Sequence, residues 1–174
     1  AGAGEDAGAT GDLDITDSLA IIGAGQAATI VDGNDIDRVF DIPSSTAAVE
    51  IRHMTIQNGT ASDIGGGILN RGILTLTSAR VTASAAVSGA GIFHGGTIEN
   101  NMLTLVDSIV DNNQGTGNGG GIAGYQSSIT LENSQVNLNS ALNGGGVYID
   151  HTRAVLTLDN ATLDNNAANN AGGI

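Results

Sequence analysis

The chain has 174 residues, 27 of them glycine, one proline, no cysteine or tryptophan, and a formal net charge of -13. The absence of cysteine excludes disulfides, thiol catalysis and cysteine-ligated zinc, and, because all five Lys and Arg positions are arginines, lysine chemistry is excluded too. A surface this acidic repels polyanions, which excludes nucleic acid as a partner, and no apolar run reaches the roughly 18 residues of a transmembrane helix.

The N-terminal third reads as two coils of three short strands. Leu13-Asp14-Ile15, Leu19-Ala20-Ile21 and Thr29-Ile30-Val31 form the first. Phe40-Asp41-Ile42, Val49-Glu50-Ile51 and Met54-Thr55-Ile56 form the second. They follow, in degraded form, the period of 2 that puts apolar residues on one face. Between the coils lies the acidic turn Asp32-Gly33-Asn34-Asp35-Ile36-Asp37. Oxygen ligands suit calcium, so Asp32, Asp35 and Asp37 are the calcium candidates, against the plainer reading of a solubilising turn. The turn lacks the spacing of an EF-hand loop. No other cofactor is expected.

From residue 65 the chain repeats. Leu74-Thr75-Leu76 returns as Leu103-Thr104-Leu105, Ile129-Thr130-Leu131 and Leu156-Thr157-Leu158, at intervals of 29, 26 and 27 residues. A glycine-rich series runs through Gly65-Gly66-Gly67-Ile68, Gly89-Ala90-Gly91-Ile92, Gly119-Gly120-Gly121-Ile122, Gly144-Gly145-Gly146-Val147 and Ala171-Gly172-Gly173-Ile174. A third series, Val81, Val110, Val136 and Leu163, is followed three residues later by Ser84, Asn113, Asn139 and Asn166. Three columns in constant order mark a solenoid. Its repeat holds three strands and three turns, with the glycine triplets expected at positive φ. Stacked in parallel about 4.8 Å apart, the leucines and valines form interior ladders, each buried aliphatic contributing roughly 1.5–3 kcal/mol. Asparagines stacked at one corner bond to those above and below. The fold class is all-β, a right-handed parallel β-helix of about six coils of three short strands. Residues 1–174 make one solenoid domain, expected to be a segment of a longer exported chain because it opens Ala1-Gly2-Ala3-Gly4 without methionine.

Aligning the coils puts Thr77, Val106, Glu132 and Asp159 in one outward column. Glu132 and Asp159 stand about 5 Å apart on neighbouring rungs, a separation that suits paired glycosidase carboxylates as well as an acidic solvated face. They are the weak catalytic candidates. His53, His94 and His151 fall on separate coils, roughly 10 Å or more apart, too far to share a zinc ion, and are read as turn or surface residues. Leu69, Phe93, Ala123 and Tyr148 follow the inward residues of the glycine turns and so point out. Leu69, Phe93 and Tyr148 form the expected contact face for a sugar or a protein.

The stretch Leu19 to Gly33 (LAIIGAGQAATIVDG), then Arg38-Val39-Phe40, Met54-Thr55-Ile56-Gln57-Asn58-Gly59 and the Gly-Gly-Gly-Ile repeats resemble bacterial right-handed parallel β-helix surface proteins of the CSLREA-domain and choice-of-anchor group. The chain is also similar to polymorphic outer-membrane protein repeats, with Val110-x-x-Asn113 where those have Phe-x-x-Asn. The resemblance implies a secreted or cell-surface location and an adhesive or structural role, and no catalytic residues. The wider pectin-lyase-like superfamily contains polysaccharide lyases and hydrolases, so a carbohydrate-active enzyme or glycan-binding module is the alternative. The expected function is a non-catalytic extracellular element. Its expected partners are the rest of a longer β-helix, other copies stacked end to end into a filament, glycans or surface proteins.

Overall fold

The computed structural model describes residues 11–96 and 101–174, and the opening Ala1-Gly2-Ala3-Gly4 lies outside them. Within them every strand pairing is parallel and every rung joins one coil to the next. The first sheet stacks Leu13–Asp14, Phe40–Ile42, Ile68–Asn70, Ile92–Gly95, Ile122–Tyr125 and Val147–Asp150. The second stacks Leu19–Ile22, Ala48–Arg52, Ile73–Thr77, Met102–Val106, Ser128–Glu132 and Val155–Asp159. The third stacks Ile30–Asp32, Thr55–Gln57, Arg80–Thr82, Ile109–Asp111, Gln135–Asn137 and Thr162–Asp164. This is a parallel β-solenoid of six coils. Among the described residues no helix is long and apolar enough to cross a membrane.

The interior follows the alternation. Leu76, Leu105 and Leu131 pair in register, as do Val81, Val110 and Val136, and all six are fully buried. Leu158 continues the leucine ladder but lies on the last rung, where it stays 45 % exposed. The threonine column Thr75, Thr104, Thr130 and Thr157 faces out, in register throughout.

The repeat holds one strand more than its sequence suggests. From the third coil onward a fourth sheet stacks Ala85–Ala86, Gln114–Gly115, Ser140–Asn143 and Ala167–Asn170. These segments are short and lack alternating apolar residues, so periodicity cannot mark them.

Two corners turn through left-handed residues that are not glycine. Between the second and third sheets stand His53, Ser78, Asp107, Asn133 and Asn160, and after the third stand Asn58, Ala83, Asn112, Leu138 and Asn165, all with φ near +50°. Asparagine tolerates this conformation, whereas it costs other side chains about 1–2 kcal/mol. At the second corner a ladder of Asn113 and Asn139, both buried, and Asn166, half-buried, secures the turn. The backbone N–H groups of Ser84, Asn113 and Asn139 donate to the amide oxygens of Asn113, Asn139 and Asn166 one rung on, each at 3.0 Å. Each Nδ2 donates back to the carbonyl of Val81, Val110 or Val136 at 2.8–3.2 Å. Turn groups that no strand can pair are thereby satisfied.

The glycine triplets divide three tasks. Only the first member has positive φ, +66° at Gly119. The expectation of positive φ across the triplet therefore fails at Gly120. There the constraint is contact, since a Cβ would lie 2.3 Å from the Ser140 carbonyl oxygen and 2.6 Å from that of Gly145. At Gly121 a Cβ would meet the Gly146 carbonyl oxygen at 2.6 Å and the Asn139 amide at 2.9 Å, so the third glycine makes room both for the next coil and for the asparagine ladder.

Candidate functional site

The outer face of the first sheet carries one column in register, Asp14, Asp41, Leu69, Phe93, Ala123 and Tyr148. It runs from carboxylates at one end to aromatics at the other. Ala123 leaves a gap between Phe93 and Tyr148, and Tyr125, two residues on and facing the same way, fills it. The Tyr125 ring centroid lies 5.3 Å from Phe93 and 5.9 Å from Tyr148, giving one continuous aromatic ladder. Asn118 Nδ2 donates to the Tyr125 hydroxyl at 3.0 Å. Asn118 Oδ1 accepts from Asn143, and Asn143 Oδ1 from Asn170, both at 2.7 Å. The Tyr148 phenol is raised by burial, by the nearby Asp150 carboxylate and by Tyr125, so it stays protonated at neutral pH.

Beside this ladder opens a cleft of about 440 Å³ lined by Phe93, Gly95, Gly96, Tyr125, Gln126, Asp150 and His151. Of the expected contact residues, Phe93 and Tyr148 are half-buried and sit in the ladder. Leu69 shares their column but is only 2 % exposed, so it offers no contact surface. Tyr125 is the member of this aromatic ladder that the sequence reading missed. Its signal was a tyrosine two positions after the one small residue in an outward aromatic column.

Of the expected calcium residues none belongs to the convergent acidic group found among the described residues, although the charge of Asp37 is near enough to raise Asp12. Asp32 accepts from Gln57 Nε2 at 2.7 Å, from the Asn34 N–H at 2.8 Å and from Asn58 Nδ2 at 3.0 Å, and these bonds hold its carboxyl below the usual range. Asp35 is exposed, and Asp37 is buried with its Oδ1 accepting from the Arg38 N–H at 2.9 Å. Among the described residues, the acidic trio whose ligand atoms come within 4.8 Å of one another is Asp12, Asp14 and Asp41. Arginine already serves it. Arg38 Nε is 3.0 Å from Asp12, and Arg38 and Arg71 each place a nitrogen 3.7–3.8 Å from Asp41.

Glu132 and Asp159 are register partners, together with Val106 and Thr77, as the aligned coils require. They stand on the outer face of the second sheet and do not line the aromatic cleft.

His53 and His151 occupy turns with positive φ, but His94 departs from the surface reading and is fully buried. The alternation Ile92 in, Phe93 out, His94 in puts its ring inside, where its Nδ1 lies 2.8 Å from Asn70 Nδ2. The Asn70 amide is oriented by Gly72, whose N–H it accepts and whose carbonyl it donates to, both at 3.0 Å. It therefore donates to Nδ1 and leaves the imidazole proton on Nε2.

Two buried groups make opposed contributions to stability over one pH range. Burial depresses His94 to about 4, so its contribution is complete above the unfolded value of 6.5 and is lost as pH falls from there towards 4. Its full size is about 3 kcal/mol. Burial raises Asp12 to about 6, more than Arg38 lowers it. Its ionisation therefore costs stability, with no cost below 3.8 and the full cost reached as pH rises past 6. Asp12→Asn removes the opposing slope, so its urea midpoint rises more steeply than that of the wild type between pH 4 and 6. Equal slopes for the two proteins would refute the assignment.

The chain matches no protein-family model, no curated protein and no solved structure.

Proposed function

We propose that this solenoid is a non-catalytic structural or adhesive element of an extracellular or cell-surface protein, and that it makes contact through the aromatic face of the first sheet. One observation carries the reading. The chain has two phenylalanines and two tyrosines, and three of these four, Phe93, Tyr125 and Tyr148, stack on one outer face while Phe40 alone enters the core. Aliphatic residues fill the interior, and the scarce aromatic surface is concentrated where a partner reaches it. Beads coated with wild-type protein and with the Phe93→Ser/Tyr148→Ser double variant test this on arrays of immobilised glycans and peptides. Retention falls at least tenfold in the variant, and equal retention of both would overturn the reading.

A carbohydrate-active enzyme is the reading of a different class, and the pairing of Glu132 with Asp159 is the observation that favours it. Turnover of polygalacturonate that disappears in both Glu132→Gln and Asp159→Asn would replace the adhesive reading.

The solenoid also has the means to associate end to end. Of the inward columns, the first described coil leaves Leu13 and Leu19 exposed and the last leaves Leu158 exposed. Edge strands with free backbone groups accept further rungs, and head-to-tail stacking propagates into a filament instead of closing. Acidic repulsion opposes contact between copies, and salt screens it, with a Debye length falling from about 10 Å at 0.1 M to about 3 Å at 1 M. Light scattering at high protein concentration therefore rises with salt. A monomer throughout the series would eliminate self-association.

A further inference from the structure

We propose that the cleft beside the aromatic ladder receives a cationic side chain, lysine or arginine, from a basic partner polypeptide. The inference rests on the reading of this face as the contact face, and it names the chemistry of what binds there.

Three features of the cleft select a cation. Its floor is glycine. A Cβ at Gly95 would stand 3.1 Å from the Tyr125 Cβ and 3.4 Å from Phe93 Cε1, so its absence keeps open the approach to both rings. Its aromatic wall is formed by Phe93 and Tyr125, offset-stacked with centroids 5.3 Å apart, and the ring surface that the offset leaves uncovered attracts ammonium and guanidinium groups. Asp150, the register partner of Tyr125 on the next rung, also lines the cleft, and its carboxylate is exposed and makes no ion pair among the described residues.

Among the described residues the chain places no lysine or arginine in this cleft. It has no lysine. Arg38, Arg52, Arg71 and Arg80 are each ion-paired to acids elsewhere, and Arg153, the arginine nearest in sequence, is not among the lining residues. Charge complementarity then extends beyond the pocket. A net charge of -13 draws a basic chain towards the surface at long range, and the cleft supplies the short-range preference. A neutral sugar gains nothing from that field.

The test uses a capped Lys-Gly-Lys-Gly-Lys peptide, the same peptide with acetylated lysines, and cellohexaose as a neutral sugar. Backbone amide NMR shifts of the whole chain report where each binds. The lysine peptide shifts Gly95, Gly96, Tyr125, Gln126 and Asp150, and the acetylated peptide does not. Asp150→Asn and Phe93→Leu each weaken the lysine peptide about threefold to tenfold, with the remaining amide spectrum showing an intact fold. Phe93→Leu keeps an apolar group and removes only the ring, so a general loss of surface would not mimic it. Shifts spread over acidic positions and unchanged in both variants mean attraction by net charge alone, and overturn the proposal. Tighter binding of cellohexaose to the same residues also overturns it, while sparing the broader reading of an adhesive face.

Discussion

Gly120→Val is expected to prevent folding or to cost at least about 4 kcal/mol, at the extreme of single substitutions. A Cβ there would sit 2.3 Å from the Ser140 carbonyl oxygen, 2.6 Å from its carbon and 2.6 Å from the Gly145 carbonyl oxygen. All three are backbone atoms of the following coil. They cannot retreat without lengthening the rung held by the Gly120 and Gly121 N–H groups, which donate to the carbonyls of Gly144 and Gly145 at 3.3 and 3.1 Å. Strain at positive φ is not the cause, since Gly119 alone in this triplet adopts it. Alanine carries the same Cβ, so Gly120→Ala is also severe. Gly173→Ala is the matched control, because its Cβ meets nothing within 4 Å. Urea denaturation of the three variants decides the matter. A Gly120→Ala protein as stable as Gly173→Ala would refute the contact argument.

The second large effect is expected at Asn139, which is 1 % exposed. Its Oδ1 accepts from the Asn113 N–H and from Asn113 Nδ2, both at 3.0 Å. Its Nδ2 donates to the Val110 carbonyl at 2.9 Å and to Asn166 Oδ1 at 3.1 Å. Asn139→Ala leaves the Asn113 N–H and the Val110 carbonyl without these partners. Each buried group so orphaned costs about 1–3 kcal/mol, which gives a loss of roughly 3–5 kcal/mol. Asn139→Asp separates the donor from the acceptor role. A carboxylate still accepts from Asn113 but turns oxygen towards the Val110 carbonyl and Asn166 Oδ1, so the variant is weakest at neutral pH and recovers on acidification. An Asn139→Ala protein within 1 kcal/mol of wild type would show that water replaces the ladder.

Much of this architecture was legible because a solenoid writes the same contact many times. Leu-Thr-Leu recurs with its threonine outward in every later coil, and the pairing follows that register residue by residue. The corner asparagines were legible for the same reason, with a polar residue returning three positions after each interior valine. The outward aromatic column was legible only in part. Phe93 and Tyr148 share a column as alternation requires, but alternation gives direction and not coverage, so the burial of Leu69 escaped it.

The sequence by itself determined the coil number, the ladder columns and their facing, because period-2 alternation and repeat spacing are local properties that stacking multiplies. Tertiary structure alone decided how neighbouring columns share space. Tyr125 bridges Phe93 and Tyr148 only because Ala123 leaves a gap one rung wide between them. The glycines of one triplet serve three purposes because each meets different atoms of the next coil. Asp12, Asp14 and Asp41 converge, and His94 loses its access to water, through coils that lie about 24 to 30 residues apart in the chain. Burial and charge proximity are sums over such neighbours, and no single segment contains them.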